Sequence, residues 1–228
     1  MTRIETDIEN ERISSCLVYA PIDEALEILK EKGYRLISLP ENVKLKREYF
    51  PASRIPFDRK DERKLEFKIG LESNFVREGY VWVPGEGCYL VRNSPLLDDP
   101  KKTRELEMSE GLFIPLNESQ VKKALEDSIK VEGDFIYPFN IPSFCGDDIA
   151  IFAFGGGNPD ETKKYEKYLK ELGIKRICLW NKGDECYARR KNPVATQVRF
   201  NGFLHDGGLY TGNDIGRDIT PFRGIKER

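Results

Sequence analysis

The sequence has little that would serve catalysis, export or membrane insertion. It contains one histidine, two methionines and two tryptophans in 228 residues. Its longest apolar runs, such as residues 149–154, are far too short to cross a membrane. The polar, acidic stretch 1–12 lacks the apolar region of a secretory signal. We therefore expect a cytoplasmic protein that does not insert into a membrane.

Neither sign of charge is in excess. The chain has 37 basic and 39 acidic residues, a net charge of −2, so no global attraction to nucleic acid or to an anionic membrane is expected. The basic and aromatic stretch 44–68 leaves a nucleic-acid module as an alternative. Acidic residues interleave throughout that stretch, which favours a solvated charged surface.

The cysteines form no recognisable ligand motif. Their odd number, wide spacing and lack of a C-x-x-C pair are typical of free thiols in a reducing compartment. The five are Cys16, Cys88, Cys145, Cys178 and Cys186. A zinc site built from Cys178, Cys186 and His205 would match no known ligand spacing. We expect no metal and no cofactor.

Local patterns predict a mixture of helices and strands. Apolar residues at helical spacing predict helices at 21–32, 118–129 and 159–172. β-favouring runs predict strands at 34–39, 149–154 and 175–180, with a hairpin at 79–91. Residues 98–110 read as a polar connector, and residues 41–68 receive no assignment.

A run of three glycines is the first candidate for a binding site. Gly155, Gly156 and Gly157 lie between the strand and helix predicted on either side, where exposed amides at a helix N-terminus can bind phosphate. The run lacks the Lys-Ser/Thr of a phosphate-binding loop and the spacing of a dinucleotide fingerprint. Asp160 and Glu161 already offset the helix dipole. A tight strand-to-helix turn is the favoured interpretation.

The His205–Asp206 pair is the second candidate, as a general base. No serine or cysteine is near it in the sequence, so a catalytic role would depend on tertiary contacts. A nucleotide- or phosphate-dependent enzyme using the glycine run and His205 remains the alternative. The favoured hypothesis is a binding protein that is not an enzyme.

The C-terminal part of the chain has a different composition from the rest. Lys, Glu, Gln, Met and Trp make up 50 of the 228 residues, yet none occurs in the 28 residues 198–225. From the composition of the chain, that absence has a chance on the order of 10⁻³ for a window chosen in advance. Every residue type in the segment can be encoded by a codon ending in a pyrimidine, and the five missing types cannot. The segment therefore looks like one whose codons were randomised from asparagine codons.

Several stretches resemble the variable proteins of archaeal diversity-generating retroelements. They follow one another in a similar order over about residues 70–228. These stretches are residues 74–84, 89–95, 148–155, 164–170, 173–175, 192–200 and 222–225.

The resemblance implies a fold and a function. In that family a mutagenic reverse transcriptase rewrites adenines in a C-terminal cassette, and each variant binds a different ligand. We accordingly expect an α+β protein with a C-type-lectin-like fold, a twisted antiparallel sheet with two or three helices. It would comprise an N-terminal α/β extension (1–69) and a ligand-binding domain (70–228) whose variable segment is about 198–225.

The same resemblance divides the C-terminal residues into two groups. Apolar anchors would hold the segment to the scaffold. They are Phe200, Phe203, Leu209, Phe222 and Ile225. Exposed variable residues would contact a macromolecular ligand, which we expect to be a protein rather than a nucleic acid. They are Asn201, Gly202, Leu204, His205, Asp206, Gly208, Tyr210, Asn213, Asp214, Ile215, Arg217, Asp218, Ile219 and Thr220.

Overall fold

The computed structural model is built around one large sheet with helices packed against it. It describes residues 2–49, 73–110, 113–131, 136–174, 176–180, 190–201, 208–212 and 220–227. Within those ranges there are six α-helices and a 12-stranded sheet. None of the helices described is both long and apolar enough to cross a membrane.

Three of the described helices begin at a residue whose side chain caps the first turn. Asn117 and Gln120 form a capping box at one helix, and Asn158 followed by Pro159 begins another. The six are α1 (Ile22–Glu31), α2 (Leu39–Tyr49), α3 (Pro100–Glu110), α4 (Glu118–Leu125), α5 (Asp148–Gly155) and α6 (Pro159–Glu171). Short 3₁₀ turns lie at Pro95–Leu97 and Ile141–Gly146.

The strands are antiparallel to their neighbours except at two places, where β4 pairs with β12 and β9 pairs with β11. They are β1 (Arg3–Glu9), β2 (Ile13–Tyr19), β3 (Arg35–Leu36), β4 (Asn74–Val83), β5 (Gly87–Val91), β6 (Ile114–Pro115), β7 (Ser128–Val131), β8 (Ile136–Asn140), β9 (Arg176–Trp180), β10 (Val194–Asn201), β11 (Gly208–Gly212) and β12 (Phe222–Glu227). The main order is β1-β2-β12-β4-β10-β11-β9-β8. β3 pairs with β12, β5 with β4, β6 with β10 and β7 with β5.

Two hydrophobic clusters cover the two faces of this sheet. Alternate residues of one strand point to opposite faces. On β12, Phe222 packs in one cluster and Ile225 in the other. On β10, Ala195 shares the cluster of Phe222, whereas Phe200 shares that of Ile225. The central strands are therefore buried on both sides.

Several predicted elements are confirmed. The hairpin at 79–91 exists as β4 and β5, and the helices predicted at 21–32 and 159–172 exist as α1 and α6. Strand β9 agrees with the one predicted at 175–180. The strand predicted at 34–39 is reduced to β3, since α2 already begins at its last residue.

The strand predicted at 149–154 is wrong, because these residues form α5. Asp147 caps this helix by accepting a hydrogen bond from the Ala150 amide at 2.9 Å. The helix is apolar on nearly every side because it is buried, with Ala153 and Phe154 in the core. Periodicity does not distinguish a short buried helix from a buried strand. The glycine run that follows consequently joins two helices rather than a strand and a helix.

Two other assignments are corrected. The polar connector predicted at 98–110 contains α3, which packs against α1 through Arg104 and its ion pair with Asp23 at 3.0 Å. The helix predicted at 118–129 ends at Leu125, and the chain continues into β7, where Ile129 pairs with Leu90 of β5. In both cases tertiary contacts override the local pattern.

Candidate ligand-binding face

The C-terminal segment leaves and rejoins the sheet at adjacent places. It leaves at the end of β10 and returns at the start of β12, and these strands lie on either side of β4. Phe75 of β4 pairs with Arg199 on one side and with Phe222 on the other. Neighbouring strands are about 4.8 Å apart, so the two ends are held about 10 Å from each other. We define residues 201–221 as the displayed segment.

The anchors described on both sides of this segment are buried. Phe200 is 1% exposed, Phe222 is 0% exposed and Ile225 is 7% exposed, as predicted. Phe200 and Phe222 lie in the clusters on opposite faces of the sheet. The ring of Phe222 packs on Phe75 with centroids 4.8 Å apart. Phe203 lies outside the described residues, and Leu209 is described only as part of the backbone of β11.

The backbone of the returning end is also fixed. The Phe75 amide donates to the Pro221 carbonyl at 2.9 Å, and the Ile37 amide donates to the Arg223 carbonyl at 2.9 Å. The middle of the segment is tied back to the sheet through β11, where Leu209 pairs with Phe200. The segment is thus held at its start, its middle and its end.

The candidate variable residues have different outcomes. Thr220 is 6% exposed, so the exposure predicted for it is wrong. It is buried because it directly precedes the point where the chain re-enters the sheet. Asn201 ends β10, and Gly208 and Tyr210 belong to β11, with only their backbone described. The other ten candidates lie outside the described residues. They are Gly202, Leu204, His205, Asp206, Asn213, Asp214, Ile215, Arg217, Asp218 and Ile219.

Two buried basic residues lie beside the anchors Phe200 and Phe222, and the sequence did not indicate their burial. Arg223 is 0% exposed, and its Nη1 donates to Asp7 Oδ2 at 2.5 Å. Lys46 is also 0% exposed, with Nζ 5.0 Å from the centroid of the Phe200 ring. Burial lowers the pKa of Lys46 well below its usual value, and Arg223 lowers it further. The segment Phe222-Arg223-Gly224-Ile225 was singled out only through the family resemblance.

A buried carboxyl group lies on β4, next to the departing strand β10. Glu78 is 0% exposed, and its Oε2 accepts a hydrogen bond from the Leu39 amide at 2.8 Å. Burial raises the pKa of Glu78 to about 8. Gln197 of β10 donates to the main-chain oxygen of the same residue. Glu78 therefore connects β4 and β10 to Leu39, the first residue of α2.

The glycine run is explained by helix packing. A methyl group on Gly155 would lie 2.1 Å from Thr162 Oγ1, so only glycine allows α5 to end against α6. Gly156 and Gly157 have φ values of 65° and 87°, in the left-handed region that glycine adopts readily. Asn158 accepts the hydrogen bond of an amide in the first turn of α6. This turn is accounted for without a phosphate ligand.

The other candidates for chemistry contribute little to a site. Of the described cysteines, Cys16, Cys88 and Cys178 are buried, Cys145 is half-buried, and these four form no disulfide. Burial raises the pKa of Cys16 to about 11. Within the part of the chain that the structure describes, no three potential metal ligands cluster. Cys186 and His205, the other members of the zinc alternative, lie outside it.

The stretch 44–68 is described only as far as Tyr49. In that portion Lys46 points into the core, and Arg47 pairs with Glu161 at 3.1 Å. Lys46 is buried and Arg47 is held by an ion pair, which reduces the support for a nucleic-acid surface there.

Comparison with solved structures identifies the architecture. One structure, reported as "Accommodation of massive sequence variation in Nanoarchaeota by the C-type lectin fold", superposes on this chain with a TM-score of 0.59. The match covers 100% of this chain and 98% of that chain at 12% sequence identity. The chain therefore has the C-type lectin fold. No family model and no curated protein matches the sequence.

Proposed function

We propose that the protein is a ligand-binding display protein whose C-terminal segment is diversified by a retroelement. The observation that carries this proposal is the placement of the displayed segment between Phe200 and Phe222. These anchors are buried on opposite faces of one sheet. A segment with both ends fixed in this way can change its other side chains without changing where it begins and ends.

Two independent features support diversification. The absence of five residue types from residues 198–225 is what codons ending in a pyrimidine would produce. The structural neighbour is reported to accommodate massive sequence variation in the same fold. Binding rather than catalysis is the function that such a scaffold serves, since rigid backbone lowers the entropic cost of ordering exposed side chains on contact.

We propose a protein as the ligand and the cytoplasm as the location. The displayed segment combines aromatic, amide, glycine and arginine residues, a composition that suits adaptable protein recognition. The described cysteines form no disulfide and are mostly buried, in keeping with a reducing compartment.

A display library tests the binding proposal. The thirteen candidate variable residues other than Thr220 would be randomised together, and the library selected for binding to lysozyme as an arbitrary protein target. We expect folded variants that bind, with contacts confined to the displayed segment. A matched library that also randomises Phe200 and Phe222 should yield few folded members. If the folded fraction of the first library is no larger than that of the second, the proposal is contradicted.

The gene neighbourhood tests diversification separately. We expect a reverse transcriptase gene beside a near-copy of the 3′ end of this gene that differs at adenines. A neighbourhood without either would leave a binding scaffold that is not diversified.

A further inference from the structure

The first strand of the chain carries a bulge at Asp7. Pairing of β1 with β2 shifts register between Thr6 and Ile8, so Asp7 has no partner residue in the ladder. A bulge re-aims side chains. As a result Asp7 and Ile8, although consecutive, are both buried, at 4% exposure each.

The inward carboxylate reaches across a whole strand. β2 lies between β1 and β12, yet Asp7 accepts a hydrogen bond from Arg223, whose Nη1 also lies 3.4 Å from the hydroxyl of Ser15 on β2. The Asp7 and Arg223 side chains are 3% and 0% exposed. Arg223 Nε and Nη2 make no hydrogen bond in the described structure, so the contact with Asp7 is what compensates its charge.

Arg223 in turn belongs to the returning end of the displayed segment. It follows the anchor Phe222, and its carbonyl accepts the Ile37 amide. The departing end is supported differently, since β10 pairs with β4, β6 and β11 and not with β1 or β2. Asp7 therefore contacts the returning end directly through its hydrogen bond with Arg223. It acts on the departing end indirectly, through its electrostatic interaction with Lys46, whose Nζ lies over the Phe200 ring.

We propose that Asp7 is a positioning residue of the ligand-binding face, which fixes through Arg223 the point where the displayed segment re-enters the sheet. The proposal rests on the proposed function in one respect, that the displayed segment binds a ligand. It gives the N-terminal strand a role in recognition although that strand is far in sequence from the displayed segment. The experiment below uses no ligand, so its outcome is independent of whether the segment binds one.

Hydrogen exchange of the full chain tests the proposal with Asp7→Asn. This variant keeps the size of the side chain and removes its charge. We expect the amides of β12 and of Ile37 to exchange at least about tenfold faster relative to those of β10, because the buried guanidinium loses its partner. Glu11→Gln, at an exposed residue between β1 and β2, should change the exchange of neither strand. An equal increase in β10 and β12 would overturn the proposal, since it would report only a loss of global stability.

A double variant separates positioning from stability. Replacing both partners, Asp7→Leu with Arg223→Met, removes the uncompensated charge and should recover most of the global stability. The apolar pair has no directional contact, so the β12 amides should remain less protected relative to those of β10 than in the wild type. If the ratio of exchange rates between the β12 and β10 amides returned to its wild-type value, the proposal would be overturned.

Discussion

Gln197 donates a hydrogen bond from Nε2 to the main-chain oxygen of Glu78 at 2.9 Å and a second to that of Val76. The pair that follows Gln197–Gly79 is Arg199–Phe75. A step of two residues along β10 therefore corresponds to a step of four residues along the antiparallel strand β4. The amide side chain thus occupies a bulge and satisfies carbonyls that the ladder leaves unpaired. It keeps in register the strand that leads to the displayed segment.

Gln197→Met should destabilise the protein although it preserves the size of the side chain. Each buried carbonyl left without a donor costs about 1–3 kcal/mol. Urea unfolding would measure the loss. Thr196→Val is the matched control, because the Thr196 hydroxyl is buried without a hydrogen-bond partner in the described structure, and its removal should be neutral or stabilising. Equal losses in the two variants would contradict the role assigned to Gln197.

Phe222→Ala should lower the melting temperature by several degrees, because truncating a fully buried phenylalanine costs about 3–5 kcal/mol. Simultaneous replacement of five candidate variable residues should change it little, because the proposed function places them in solvent, where substitutions stay within about ±0.5 kcal/mol. The five are His205, Asp206, Tyr210, Asn213 and Asp214. Thermal unfolding followed by circular dichroism compares the two variants. If the fivefold variant unfolds as readily as Phe222→Ala, the segment is structural rather than variable.

The stability of the protein should fall as the pH rises towards 8. The pKa of Glu78 is about 8 in the folded protein, against an ordinary value of 4.5, because of its burial. The folded state therefore holds this proton more tightly than the unfolded state, and the resulting stability, complete below pH 4.5, is lost as the pH rises through 8. Glu78→Gln should remove most of the decrease in the free energy of unfolding between about pH 5 and pH 9.

Glu41→Gln is the control of opposite sign for this pH dependence. Burial alone would raise the pKa of Glu41, but hydrogen bonds from Arg35 and Ser38 lower it to about 2. The contribution of Glu41 to the free energy of unfolding is present above pH 4.5 and is lost as the pH falls towards 2. This variant should therefore alter only the acid limb of the profile. An unchanged alkaline slope in Glu78→Gln would show that another group controls it.

Gly155→Ala should destabilise the packing between α5 and α6. The added methyl group would lie 2.1 Å from Thr162 Oγ1, and such overpacking typically costs about 1–3 kcal/mol. Adding Thr162→Ala should recover part of the loss. Gly146→Ala, where a methyl group would meet nothing within 4 Å, should have little effect. Nucleotide addition should leave the melting temperatures of all four proteins unchanged, whereas stabilisation of the wild type alone would favour the phosphate-binding alternative.

The sequence was sufficient for elements whose ends are marked by local chemistry. Asn158 and Pro159 begin α6, and Gly173, with φ of 73°, follows its end. The β4–β5 hairpin has a β-favouring run on each side of its turn. The C-type lectin fold, by contrast, was accessible only through the ordered resemblance over residues 70–228, because no local pattern specifies how twelve strands are arranged.

What the sequence could not indicate depends on contacts between distant residues. Asp7 and Arg223 are 216 positions apart, and nothing in the acidic stretch around Asp7 marks one carboxylate as buried. Lys46 looked like part of a solvated charged surface, yet it lies in the core. The burial of Thr220 likewise follows from where the chain re-enters the sheet rather than from its composition.

The pairing of the terminal strands decides how the protein should be attached to a surface. Ile4 of β1 and Phe222 of β12 both pair with Val18, so the start of the chain lies level with the re-entry of the displayed segment. Glu227 pairs with Ile13, at the opposite end of β2. A tether after the last residue would leave from the end of the sheet away from the displayed segment, whereas one before the first residue would emerge beside it. Sensors and selection libraries made from this protein should therefore be immobilised through the C-terminus.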